Sequence, residues 1–145
     1  EEAVIIQELI VGIEYGVDVL FNAQCEYQGF TAKRKLGMRS GETDKAVTVA
    51  PDSFSALVQS IAEVIRHRGN LDCDFLEQDG KIFLLEMNPR FGGGYPFSHE
   101  AGAKHVDRLI QEAMGKTPAK YSYERGVAFA KCDTLVRVPT AVHRL

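Results

Sequence analysis

The residues best suited to chemistry lie between Asp72 and Arg90. Asp72 and Asp74 precede a short turn carrying Asp79-Gly80, Glu86 follows it, and the segment leaves through Asn88-Pro89-Arg90. Hard oxygen donors from Asp74, Glu86 and the Asn88 carbonyl suit Mg²⁺, with Mn²⁺ as the alternative, because such ions keep waters and share their coordination with substrate phosphates. Arg90, held beyond Pro89, would add a fixed cation for phosphate or acyl-phosphate charge. The plainer reading makes each carboxylate the solvated side of an alternating strand. That reading weakens for the set, because Glu86 sits in the apolar run IFLLEM, where an unpaired charge is costly.

Whether these side chains can meet depends on register. A three-residue loop Gln78-Asp79-Gly80 places Asp74 opposite Leu84 and Asp72 opposite Glu86, with Asp74 and Glu86 as diagonal neighbours on one face. In this register Asp72, Asp74, Leu84 and Glu86 project to one side, and Cys73, Phe75, Phe83 and Leu85 to the other. A two-residue Asp79-Gly80 turn reverses that and sends Asp74 and Glu86 to opposite faces. Cys73 alternates away from Asp72 and Asp74 and reads as a core residue.

The elements around this hairpin follow from periodicity. Residues 3 to 35 read as three strands: VIIQELI, EYGVDVLFN with Tyr15, Val17, Val19 and Phe21 on one side, and a stretch ending in TAKRKL. The polar segment GMRSGETDKA reads as a loop before a short strand VTVA. From Pro51 to His67 the residues Phe54, Leu57, Val58, Ile61 and Ile65 form one helical stripe, capped by Asp52 or Ser53 and ended by Gly69. NPRFGGGYPF reads as an irregular loop. Val106, Leu109, Ile110 and Ala113 mark a second helix between His99 and Gly115, and RGVAFAKCDTLVRV reads as two further strands. This order predicts an α+β fold, a mainly antiparallel sheet with two packed helices.

The chain has 145 residues, 45% hydrophobic and 26% charged, which is enough for one domain with a real core. No apolar run is long enough to span a bilayer as a helix, so no membrane partner is expected. Seventeen basic against twenty acidic residues give a net charge of −3, without the basic excess that phosphate-backbone binding uses, so nucleic acid is not an expected partner. Cys25, Cys73 and Cys132 are odd in number and far apart, which reads as reduced thiols in a cytoplasmic protein. His67, His99, His105 and His143 read as surface or helix-end residues, His99 being the one near enough to the glycine loop to line an acceptor pocket.

The stretch CDFLEQDGKIFLLEMNPRFGGG, preceded by IIQELIVGIEYGVDVLF, resembles the C-terminal half of an ATP-grasp domain, most like the carbamoyl-phosphate-synthase large-chain group. The similarity covers nearly the whole chain in order. It implies that residues 1–145 form the C-terminal subdomain of an ATP-grasp fold, with the N-terminal part expected elsewhere in a longer protein, together with its glycine-rich loop and phosphate-binding Lys. The chemistry implied is ATP- and Mg²⁺-dependent phosphorylation of a small-molecule carboxylate to an acyl phosphate, which an amine or similar nucleophile attacks. Carried over position by position, Asp74, Glu86 and Asn88 are metal ligands and Arg90 touches phosphate or substrate. Gln7, Glu8 and Leu9 meet the adenine largely through their backbone, and Glu14 holds the ribose hydroxyls. The basic cluster Lys33, Arg34, Lys35 and Arg39 borders phosphates or acceptor, with Lys33 and Arg39 the expected catalytic cations; a solvated Lys/Arg-rich edge strand is the competing account.

Two positions depart from the resemblance: Asp74 stands where carbamoyl-phosphate synthases tend to carry Gln, and Phe91-Gly92-Gly93-Gly94 replaces a Ser-Arg-rich loop. A carboxylate–amine ligase of open substrate is therefore the expectation. The glycine run is no dinucleotide fingerprint and reads as a place where substrate approaches the backbone. The isolated chain, holding half a cleft, is expected to be inactive. A non-catalytic nucleotide-binding or regulatory module is the alternative, a metal-dependent hydrolase lacks a general base, and a second copy of the chain as partner stays open.

Overall fold

The computed structural model describes residues 4–137. Six strands form one sheet in the order β5-β4-β1-β2-β3-β6, every neighbouring pair antiparallel. They are β1 (Ile13–Phe21), β2 (Tyr27–Arg39), β3 (Glu42–Thr48), β4 (Gly69–Gln78), β5 (Lys81–Asn88) and β6 (Ala128–Ala130), with helices α1 (Asp52–Val64), α2 (Tyr95–Glu100) and α3 (His105–Ala113). The expected α+β architecture with a mainly antiparallel sheet is what forms. No helix among the described residues is long and apolar enough to cross a membrane.

The alternation in β1 has the anticipated consequence. Val17, Val19 and Phe21 join Ala32 and Phe30 of β2 and Leu71, Cys73 and Phe75 of β4 in one buried cluster, covered by Phe54, Val58 and Ile61 of α1. Two aromatic contacts tie helix to sheet, Tyr15 to Phe54 at 5.1 Å and Phe54 to Phe75 at 5.7 Å. Cys73 is fully buried there, and burial above all pushes its thiol up to about 12, which makes it inert as a nucleophile.

Several local expectations are corrected. Residues 4–12 form no strand; Ile5, Ile6 and Leu9 stand almost fully exposed beside the sheet. The segment read as a loop is instead a hairpin: β2 continues to Arg39, and β3 starts at Glu42 after a tight turn in which Ser40 and Gly41 both have positive φ. Helix α1 has Pro51 at its N-cap with no side-chain cap, and it ends at Val64, before Gly69 opens β4. The helix expected from His99 is broken, because Gly102 and Lys104 take left-handed conformations between α2 and α3. Of the stripe predicted on α3, Val106 and Ile110 face solvent and the buried residue is His105. β6 is three residues long, and the second strand expected after it does not form among the described residues; Val138 and His143 lie outside them.

Candidate functional site

The hairpin β4–β5 combines features of both registers considered above. Asp79 and Gly80 have φ of 52° and 74°, the two-residue turn with both central residues left-handed. From it the ladder starts in the register that would separate the carboxylates, pairing Gln78 with Lys81 and Phe75 with Leu84. Then β5 carries one extra residue, Leu85, and the pairing resumes with Asp74 opposite Glu86 and Asp72 opposite Asn88. This β-bulge returns Glu86 to the Asp74 face, as direct rather than diagonal neighbours, and corrects the expected three-residue loop. Met87 now pairs with Cys73 on the other face.

The carboxylate face opens on a cleft of about 460 Å³ lined by Lys33, Lys35, Asp72, Asp74, Glu86 and Arg90, with Met38, Glu42 and Thr43 on the far wall. Gly16 of β1 lies between Lys33 and Asp74 in the sheet, and a Cβ there would come 3.4 Å from the Lys33 stem and 3.5 Å from that of Lys35. Its missing side chain is what lets two lysines lie across the strand. Lys35 Nζ stands 2.6 Å from Glu14 Oε1 and 2.9 Å from Asp74 Oδ1. Burial alone would lower the Lys35 ammonium, but its bonds to Glu14 and Asp74 outweigh that and raise it.

Asn88 Nδ2 donates to Glu86 Oε1 at 2.9 Å, which leaves the Asn88 carbonyl as its ligating atom. The donor set is thus two carboxylates and an amide oxygen, which fits a hard divalent cation. No group of three His, Cys, Asp or Glu side chains converges on one point among the described residues. Arg90 is mostly exposed, 3.6 Å from Asp72 Oδ2. Burial above all, then the neighbouring Asp18, raises the Asp72 carboxyl to about 6.

The glycine loop packs on this cleft from above. A Cβ at Gly92 would lie 2.1 Å from the Asp72 carboxylate, one at Gly93 3.1 Å from that of Glu42, and one at Gly94 2.9 Å from the Lys33 stem. The close approach expected for a substrate is therefore made first by the protein's own charged side chains.

Of the remaining candidates, Gln7 and Glu8 border a cavity of about 400 Å³ together with Leu76, Ile82, Phe83 and Leu85, at the hairpin end of the same sheet. Leu9 is exposed and does not line it. Arg39 is not brought to the cleft: at the far end of β2 it contacts Asp133 at 2.6 Å and Asp44 at 3.0 Å. Arg34 faces the other way, paired with Tyr15. His99 contacts the Tyr95 hydroxyl at 3.1 Å and lies outside the cleft lining.

Periodicity passed over Asp18, Ser98, Asn70 and His105, all buried beside the cleft. Lys33 Nζ contacts Asp18 Oδ2 at 2.5 Å and Ser98 Oγ at 3.2 Å. Burial works to raise the Asp18 carboxyl, yet the Lys33 charge and the bonds from Lys33 and Ser98 hold it below the usual range. The signal available for Asp18 was a lone carboxylate inside VDVLF, where it needs a partner.

The chain is similar to several known proteins. Carbamoyl phosphate synthase large chains are similar: that of Thermoanaerobacter pseudethanolicus is 22% identical over 145 aligned positions, covering 94% of this chain and 14% of that protein. That of Thermomicrobium roseum is 26% identical over 133 positions, 86% and 12% respectively. The chain therefore spans about a seventh of the length of such relatives. In fold it resembles N5-carboxyaminoimidazole synthetase from Staphylococcus aureus complexed with ADP, with a TM-score of 0.63, 17% identity, and 79% of this chain and 32% of that one covered. It also resembles phosphoribosylglycinamide synthetase from Anaerococcus prevotii, with a TM-score of 0.60, 15% identity, and 83% and 34% covered. The model of the family described as ATP-grasp in the biosynthetic pathway with Ter operon matches residues 1–135, and the chain belongs to that ATP-grasp family.

Proposed function

We propose that the cleft is the metal- and phosphate-binding half of an ATP-dependent carboxylate–amine ligase, and that the chain is the C-terminal part of an ATP-grasp domain whose other part lies in a longer protein. The observation that carries this is the bulge at Leu85, which sets Asp74 opposite Glu86 on the cleft face among Lys33, Lys35 and Arg90. Asp74, Glu86 and the Asn88 carbonyl would hold Mg²⁺ or Mn²⁺, and the bound ion would neutralise phosphate charge during transfer. The cavity beside Gln7 and Glu8 would receive the base, and Glu14 the ribose.

In this reaction a substrate carboxylate oxygen attacks the γ-phosphorus of ATP, ADP leaves, and an acyl phosphate forms. An amine then attacks the acyl carbon and inorganic phosphate leaves, as in carbamoyl-phosphate-synthase-like chemistry. Lys33, held by Asp18 and Ser98, and the more exposed Arg90 would contribute positive charge towards the transferred phosphoryl group. Lys35 bridges Glu14 and Asp74 through Asp74 Oδ1, which would leave Asp74 Oδ2 as the oxygen offered to a cation.

Glu86→Gln and Asn88→Ala test this in the full-length protein. Each should lower ATP-dependent turnover by about two orders of magnitude or more while the melting transition is kept. Unchanged turnover in both variants would refute the metal role.

A further inference from the structure

A hydrogen-bonded chain runs from the cleft into the body of the protein, and its donors and acceptors can be assigned end to end. Asp18 Oδ1 accepts from Asn70 Nδ2 at 3.2 Å, and the same nitrogen donates to the Arg90 carbonyl at 3.1 Å. A carboxylate and a carbonyl can only accept, so both amide protons of Asn70 are committed and its Oδ1 is an acceptor. His105 Nδ1 lies 2.7 Å from that oxygen and must carry a proton. Burial above all pushes His105 down to about 4, so the ring is neutral and Nε2 accepts, 2.6 Å from the Tyr121 hydroxyl. That hydroxyl, its proton used, accepts from Thr31 Oγ1 at 2.7 Å. Arg108 holds the Tyr121 segment through the Ala119 and Lys120 carbonyls, with its guanidinium 4.9 Å over the Tyr121 ring.

We propose that His105 is a positioning residue for the cleft: as the neutral Nδ1–H tautomer it fixes the Asn70 amide, and Asn70 ties the Lys33–Asp18 pair to the loop that carries Arg90. The two cations come from β2 and from the exit of β5. Asn70 bonds on one side to Asp18, the partner of Lys33, and on the other to the backbone of Arg90 itself. Rotating the amide by half a turn would set oxygen against oxygen at both contacts, so Asp18 and the Arg90 carbonyl choose its orientation, Asn70 Oδ1 in turn selects the Nδ1–H tautomer, and the bond from His105 holds the amide in place. The spacing of the two cations on the phosphates is then set from outside the cleft. This deepens the phosphate-site reading, but its test needs no nucleotide, so the two can fail separately.

The test is long-range ¹H–¹⁵N NMR of the histidine rings in the whole chain, His105 being assigned by its loss in His105→Phe. One ring should show a protonated Nδ1 and a bare Nε2 from about pH 5.5 to about pH 8. In folded His105→Phe, the Arg90 carbonyl ¹³C and Lys33 ¹⁵Nζ resonances should shift together while those of α1 stay in place. An Nε2–H tautomer, titration in the ordinary histidine range, or unshifted Arg90 and Lys33 resonances in that variant would overturn the proposal. Should His105→Phe not fold, Tyr121→Phe is decisive. It removes the donor to Nε2 and the acceptor of Thr31 Oγ1 but leaves the Asn70 contact at Nδ1, so the Nδ1–H form should persist, and a change to Nε2–H would refute Asn70 as the partner that selects it.

Discussion

Asp74 and Glu86 face each other across β4 and β5 because a one-residue bulge at Leu85 cancels the parity set by the two-residue turn at Asp79-Gly80. The turn and the bulge act together: either alone puts the two carboxylates on opposite sides of the sheet. Gly80, with φ of 74° and open space around it, holds the turn by conformation and not by packing. Gly80→Val should therefore cost about 1 kcal/mol or more, measured by urea denaturation, whereas Asp79→Asn should change stability by a few tenths.

Asp18 and Lys33 form a buried pair whose members are 0% and 1% exposed. Asp18→Asn leaves the almost fully buried ammonium without its countercharge. A loss of about 3 kcal/mol or more in folding free energy is expected by chemical denaturation, well beyond the loss from a surface carboxylate.

Gly92 allows the exit loop to rest on Asp72, and a methyl group at that position would fall inside the carboxylate. Gly92→Ala must displace either the loop or the Asp72 side chain. In the full-length protein we expect a fall in ATP-dependent turnover of about tenfold or more, with a smaller effect on the melting temperature. Equal turnover would show that the loop is free to move without consequence.

Two buried groups give opposite pH dependences. His105 is pushed down to about 4, so the unfolded chain binds its proton more readily. The stability this group contributes is whole above about pH 6.5 and is lost as the pH falls through that window, about 3 kcal/mol in all. Asp72 is raised to about 6 from 3.8, so its burial penalty is whole above pH 6 and is relieved as the pH falls. The two slopes oppose each other in the wild type. Denaturation at several pH values should show stability falling between pH 6.5 and 4 in Asp72→Asn and rising over the same window in His105→Gln.

In the proposed function the cleft would supply phosphate contacts from one side only. Isothermal titration of the isolated chain with ATP and millimolar Mg²⁺ should give no affinity better than micromolar. Submicromolar binding would overturn the proposal that another part of the domain completes the site.

The amino-acid sequence alone determined the parts of this protein that depend on neighbours along the chain. The period of two in Tyr15, Val17, Val19 and Phe21 and the helical spacing of Phe54, Val58 and Ile61 are local amphipathic patterns, and each names its buried face without reference to any other segment. The Glu86-Met87-Asn88-Pro89-Arg90 run was legible for the same reason, since its spacing along one strand already aligns Glu86 with Asn88. Tertiary structure decided whether Asp74 shares that face, because a bulge leaves no mark in the alternation IFLLEM and is selected by what each face must pack against. It likewise decided the buried relay, in which residues 18, 33, 70, 98 and 105 come from different elements and each looks unremarkable in its own segment. His105 read as a helix-end residue and is the start of α3, but its burial follows from the sheet and the Tyr121 segment closing over it. A buried polar group is stable only when its partners arrive from elsewhere in the chain, so its role emerges only when the fold has assembled.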